Sequence, residues 1–227
     1  MERKIYGIYF ICCINNYIQI VNEQLKTLIE SGLYEKTDNI YCFVCRQTTE
    51  IITLLSQYSK ITIIGTDENL FEHFAINNYK KYVSGDYYLY YMHSKGVTRN
   101  GKGFTDWRIL CDYFTMSKWK LNIELLKEND CVGINLLKYP KLHFSGNFWW
   151  SKSEYLNKLE EPINNKRLSP EMYICDHPEV KAICHYNKYS YNVPHDKSLY
   201  DKLSDEELIT TNIPRENPHV KYLMKEC

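Results

Sequence analysis

Three short segments concentrate the residue types that chemistry uses. In Tyr91-Met92-His93-Ser94-Lys95-Gly96-Val97-Thr98-Arg99 an apolar run delivers His, Ser and Lys to a glycine that permits a sharp turn. His93 could donate a hydrogen bond or ligate a metal, and Lys95 and Arg99 could neutralise a diphosphate without one. The same letters also describe a turn with solvated charges. In His143-Phe144-Ser145-Gly146-Asn147-Phe148-Trp149-Trp150-Ser151-Lys152 two adjacent tryptophans stand beside Phe, Gly and Asn. Aromatic faces stack on the C–H faces of sugars, while His143, Ser145 and Asn147 can bond hydroxyls. The alternative is that Phe148, Trp149 and Trp150 are mostly core. If the segment is a strand, the two tryptophans point to opposite faces, which predicts one in a cleft and the other in the core. In Arg167-Leu168-Ser169-Pro170-Glu171-Met172-Tyr173 a proline positions Glu171 at a helix start. There it is a candidate general base, or a carboxylate that only complements the helix dipole.

The elements that must position these segments follow from apolar patterning. Residues 5–11, 40–45, 61–64 and 87–92 are short, nearly continuous apolar runs, as expected of strands buried on both faces. Between them, helical spacing runs from Ile18 to Ser31, stopped by Gly32. It recurs from a Thr48 or Thr49 cap, and again from about Asn69 to Val83. Strands alternating with helices predict parallel βαβ units, whose ligands bind beyond the carboxyl ends of the strands. The second half is less regular. A helical stretch is expected over Asp106 to Lys127, a strand over Cys131 to Asn135 and a short helix after the tryptophans. Pro162 to Pro170 reads as a loop, and the polar tail after Pro194 as a surface wrap.

Composition bounds the partners. The chain has 227 residues with 28 Lys+Arg and 28 Asp+Glu, and this neutrality argues against nucleic-acid binding driven by neutralised phosphates. No apolar run approaches the ~20 residues that span a bilayer. Nine cysteines, an odd number, lie largely in apolar runs and follow no secretory leader, so a reducing cytoplasm is the expected compartment. Cys42-x-x-Cys45 has redox or zinc spacing but sits in a strand-like run without a second pair.

Taken together, Tyr-x-His-Ser-Lys-Gly-Val, then Asp106-Trp107-Arg108, then the Ser-Gly-Asn-Phe-Trp-Trp stretch, then Arg167 and Glu171 resemble a group of small glycosyltransferases from large DNA viruses and bacteria. These are similar to the GT-A (nucleotide-diphospho-sugar transferase) fold class, over roughly residues 5 to 190. The resemblance implies one α/β domain with a central, mostly parallel mixed sheet flanked by helices. Residues 1–100 would bind the nucleotide-sugar donor, a UDP-sugar foremost, and 101–195 a glycan acceptor, with 196–227 as a tail. Asn15 and Asn16 would meet the base and Asp67 the base or ribose. The corner His93-Ser94-Lys95-Gly96, with Arg99, would take the place of the Asp-x-Asp that holds Mn²⁺ or Mg²⁺ in many such enzymes. No Asp-x-Asp stands there. Either Lys95 clamps the diphosphate without metal, or His93 binds metal with a distant partner such as His185 or His195. His143, Ser145, Asn147, Trp149 and Trp150 would bind acceptor, with Glu171 as catalytic carboxylate and Asp106 as its rival. Two other classes stay open: an inactive sugar- or nucleotide-binding relative, and a nucleotidyltransferase. The last would need a glycine-rich phosphate loop that Cys12-Cys13-Ile14-Asn15-Asn16 does not supply.

Overall fold

The computed structural model describes residues 3–98, 101–161, 163–164, 166–187, 197–208 and 212–214. The first half runs β1 (Lys4–Cys12), α1 (Tyr17–Glu30), α2 (Leu33–Lys36), β2 (Asn39–Cys45), α3 (Thr49–Leu55), β3 (Ile61–Thr66), α4 (His73–Ile76) and β4 (Tyr87–His93). The second adds α5 (Lys102–Asp112), α6 (Trp119–Leu125), β5 (Cys131–Gly133), β6 (Leu136–Leu137), β7 (His143–Phe144), β8 (Trp149–Lys152), α7 (Ser153–Leu156), α8 (Ser169–Tyr173), β9 (Ala182–Cys184) and α9 (Asp205–Leu208).

Seven strands form one mixed sheet in the order β3-β2-β1-β4-β8-β5-β9, and β6 pairs with β7 separately. The pairs β1–β2, β2–β3, β1–β4 and β5–β9 are parallel, whereas β8 runs antiparallel to both of its neighbours. This is the mostly parallel α/β sheet that the apolar runs predict. The alternation of side chains along β1 sends Ile5, Tyr9 and Ile11 to one face and Tyr6, Ile8 and Phe10 to the other. The first face packs on α1, α3 and α5, and the second on α4, α7 and α8. Cys42 and Cys45 fall on opposite faces of β2, so their sequence spacing brings no thiol pair together.

Two helical expectations are corrected. The Asn69–Val83 stretch is an exposed loop, then α4, then a single 3-10 turn at Tyr79–Lys81. Asparagines interrupt it, because the Asn78 side chain donates to the Phe74 carbonyl at 2.9 Å and Asn77 accepts from the Ile163 amide at 2.9 Å. The helix expected from Asp106 begins earlier, at Lys102, and is broken by a π turn over Tyr113–Ser117. There the Thr115 carbonyl accepts from Trp150 Nε1 and the Phe114 carbonyl from Asn122 Nδ2, both at 2.8 Å. The Thr48 cap stands as expected, its hydroxyl accepting from the Ile51 amide. In the tail, the residues from Pro194 to Asp196 lie outside the described residues. Tyr200 is buried against Tyr113, Phe114 and Tyr186 rather than wrapping the surface. No helix among the described residues is long and apolar enough to cross a membrane.

Candidate functional site

The antiparallel run of β8 decides where the motifs meet. Tyr91 of β4 pairs with Trp149 of β8, so the chain entering β8 lies beside the chain leaving β4, at the carboxyl pole of the parallel strands. His93 Nε2 donates to the Gly146 carbonyl at 2.9 Å, and the Gly146 amide donates to Glu171 Oε1 at 2.8 Å. The single residue Gly146 thus links the imidazole to the carboxylate. Gly146 is obligatory on two counts. Its φ is 96°, and a Cβ there would meet Trp107 Nε1 at 2.8 Å.

Asn147, also left-handed at φ 54°, donates through Nδ2 to Glu72 Oε2 and accepts from Trp149 Nε1 at 3.0 Å. Glu72 precedes α4 and also accepts from the Tyr91 hydroxyl at 2.9 Å, while its Oε1 lies 3.6 Å from His93 Nδ1. Burial pushes the His93 imidazole below its ordinary value, with the Glu72 charge acting in opposition. Glu72 has no motif around it and lies where a helix was expected, so sequence patterning gave no signal for it.

A second set of groups surrounds a cavity of about 70 Å³. Asn16 and Gln19 reach it from α1, Lys95 and Gly96 from the turn after β4, and Thr105 and Arg108 from α5. Asn16 and Gly101 are the N-caps of α1 and α5, and neither helix has a side-chain cap or an acidic residue in its first turn. Two uncapped positive helix ends therefore face one small space. Lys95 Nζ lies 5.5 Å from the centroid of the Trp107 ring. Arg108 is buried and paired with Glu23 and with Asp112, the latter at 3.2 Å. Burial raises the Asp112 carboxyl to about 7 against the opposing pull of Arg108. Asp112 also accepts from Gln24 at 2.7 Å, and Gln24 donates to the His93 carbonyl at 3.1 Å, tying the cavity wall to the backbone at the end of β4.

The structure therefore brings His93, Asn147 and Glu171 together, and gathers Asn16, Lys95 and Gly96 at the cavity. Asn15 is fixed by its side-chain bond to the Val97 carbonyl at 2.6 Å, and Ser94 is buried, accepting from the Cys12 amide at 3.1 Å. Asp67 is exposed beyond β3, and Arg99 and His195 lie outside the described residues. His143 is buried and turns its Nδ1 to the Lys141 carbonyl at 2.7 Å, and Ser145 is half-buried. The expectation of one exposed tryptophan fails, since Trp149 and Trp150 are each 1% exposed. β8 is an interior strand with both faces covered, so its alternation separates two cores rather than core from cleft. Asp106 does not open a helix; it lies inside α5. His185 bonds Asn122 at 2.6 Å and stacks on Phe114, a separate setting from that of His93. Among the described residues no three His, Cys, Asp or Glu side chains gather to hold a metal ion. The pair His93–Glu72 alone does not fit a divalent cation, since Nε2 and Oε2 are already engaged.

Among solved structures the chain is similar to 4-diphosphocytidyl-2C-methyl-D-erythritol synthase from Anaerococcus prevotii, with 12% identity, 86% of this chain and 92% of that chain covered, and a TM-score of 0.45. It is similar to HddC from Yersinia pseudotuberculosis at 14% identity, covering 81% and 92% of the two chains, TM-score 0.46. It is similar to TarS residues 1–349 from S. aureus at 10% identity, covering 75% and 54%, TM-score 0.42. Likeness of this degree assigns no activity to the chain. No curated protein matches it in sequence. A family model does match, over residues 13–198, a span that holds the cavity, Glu72 and Glu171, and the chain belongs to that family, described as "Domain of unknown function (DUF8361)".

Proposed function

We propose that the chain is a glycosyltransferase that moves a sugar from a nucleotide-diphosphate donor to a hydroxyl of a glycan acceptor. The observation that carries this reading is the cavity between Lys95 and Arg108, faced by the uncapped amino ends of α1 and α5. Its lining by Asn16, Gln19, Lys95, Gly96 and Thr105 is polar, as a bound phosphate group requires. Backbone N–H groups at helix ends favour bound anions, and the Lys95 ammonium adds charge where a leaving diphosphate gains it, while the Arg108 charge is met by Glu23 and Asp112. Nucleoside would extend toward the loops after β1 and β3, past Asn15, Asn16 and Asp67.

The reaction in this reading is a direct displacement. The bond from the anomeric carbon to the diphosphate oxygen breaks, the acceptor oxygen bonds to that carbon, and the acceptor proton passes to a carboxylate. Glu171 suits that role, because the Gly146 amide fixes one of its oxygens and leaves the other available. His93 and Gln24 connect the two sets of groups and hold the turn after β4 in place.

A thermal-shift titration with UDP, CDP, GDP and ADP and their sugars tests the reading. At least one nucleoside diphosphate should raise Tm, and Lys95→Ala should weaken its affinity by about 1.5–3 kcal/mol, the worth of a charge-assisted contact. Equal stabilisation of wild type and variant, or no response to any nucleoside diphosphate, would overturn it.

A further inference from the structure

The fold class implies a divalent cation at the corner after β4, and the side chains of that corner do not provide for one. His93 is held by the Gly146 carbonyl at Nε2 and lies 3.6 Å from Glu72 at Nδ1. Ser94 is buried and accepts from the Cys12 amide at 3.1 Å, which turns its hydroxyl into the sheet. Of the three corner side chains only that of Lys95 lines the cavity, and it is a cation.

A divalent cation is held by anionic oxygens, and the cavity presents none. Its lining, among the described residues, includes no Asp or Glu. The carboxylates that bond the lining residues Gln19 and Arg108 are engaged at both of their oxygens. Glu23 accepts from Gln19 Nε2 at 2.8 Å through Oε1 and from Arg108 through Oε2. Asp112 accepts from Gln24 at 2.7 Å through Oδ1 and from Arg108 at 3.2 Å through Oδ2. Asp106 follows Thr105 in α5 but does not line the cavity, and its charge acts on the buried Tyr200 hydroxyl instead. A dication in this space would meet the Lys95 ammonium ahead of any open carboxylate oxygen, and like charges repel.

The same arrangement suits an anion. No carboxylate among the described residues pairs with Lys95, whose Nζ lies 5.5 Å from the centroid of the Trp107 ring, so its charge stays available to the cavity. An ammonium is a compact charge with several N–H donors, and Asn16, Gln19 and Thr105 add neutral donors around it. We propose that this chain binds the diphosphate of its donor without a divalent cation, the Lys95 ammonium taking the place of the metal. The proposal deepens the transferase reading and rests on it for the diphosphate being that of a nucleotide.

Isothermal titration calorimetry of the full chain tests it, with inorganic pyrophosphate, UDP, CDP, GDP and ADP as probes, each in EDTA and in excess Mn²⁺ or Mg²⁺. Pyrophosphate and at least one nucleotide should bind in EDTA, at least as tightly as with metal, because the metal neutralises the charge that Lys95 meets. Lys95→Ala should weaken both roughly tenfold in EDTA, and Mn²⁺ should not restore them. The comparison of conditions in the wild type does not depend on any variant folding. The proposal falls if a probe binds more tightly with Mn²⁺ or Mg²⁺ than in EDTA, or if Lys95→Ala binds as well as wild type. Nucleotide binding only in the presence of metal would overturn it and leave the transferase reading standing. Pyrophosphate bound in EDTA without any nucleotide would leave the metal-free cavity standing and the transferase reading fallen, and no binding by any probe would overturn both.

Discussion

Glu171 and Asp106 illustrate how much a single residue's role depends on what surrounds it. Both are carboxylates within or beside a helix turn, yet only Glu171 is fixed by an amide from the segment that also holds His93. Glu171→Gln keeps the shape and the bond from the Gly146 amide while removing basicity. Turnover with a productive donor and acceptor should fall by about 10²–10⁴-fold, with Tm and nucleotide affinity retained; near-normal turnover would remove Glu171 from the mechanism. Lys95 and Glu171 are legible in the sequence because Gly96 and Pro170 punctuate the chain beside them, and punctuation places side chains at element ends. Glu72 is illegible for the opposite reason. It reaches the cluster through a left-handed phenylalanine and a loop, and its partners Tyr91, His93 and Asn147 come from elsewhere in the chain.

At the scale of elements, the entry into β8 is the piece on which the site turns. Gly146→Ala should cost about 1–3 kcal/mol for the left-handed backbone and about as much again for the contact with Trp107. Denaturant melts would measure the loss, and a cost under 1 kcal/mol would mean that the turn relaxes freely. The four parallel strands are legible because buried strands read as continuous apolar runs. The helices after β3 and β4 are not, because asparagine side chains and a tryptophan N–H compete for the backbone carbonyls that a regular helix would use. The burial of both tryptophans is equally illegible. Alternation fixes which face each occupies, whereas the neighbours β4 and β5, which make both faces interior, are set by topology.

For the whole molecule, buried titratable groups tilt stability in opposite directions over one pH range. The Asp112 carboxyl, ordinarily near 3.8 and raised to about 7, keeps a proton in the native state that the unfolded chain releases, so its contribution falls as pH rises through that interval. His185, ordinarily 6.5 and lowered by burial to about 4, is neutral in the native state while the unfolded chain takes up a proton, so its contribution falls as pH drops. His93 shifts in the same direction as His185. Asp112→Asn should therefore steepen the loss of Tm on acidification, and His185→Gln should make it shallower. Parallel curves of Tm against pH for the three proteins would show that neither group carries the slope.

The eight buried cysteines among the described residues lie in β1, β2, α5, β5 and β9, just beyond β1 at Cys13 and just beyond α8 at Cys175. Burial raises the thiols of Cys13, Cys45 and Cys111 to about 12, 11 and 12. A small alkylating reagent needs both access and thiolate, and the closed fold withholds both. Each position reacts only when its own part of the molecule opens. The chain thus carries a native set of opening reporters, two of them at the carboxyl end of β1 beside the turn that leads to Asn15 and Asn16. A ligand seated on that turn would register as slowed labelling at Cys12 and Cys13, ahead of the thiols in β5 and β9.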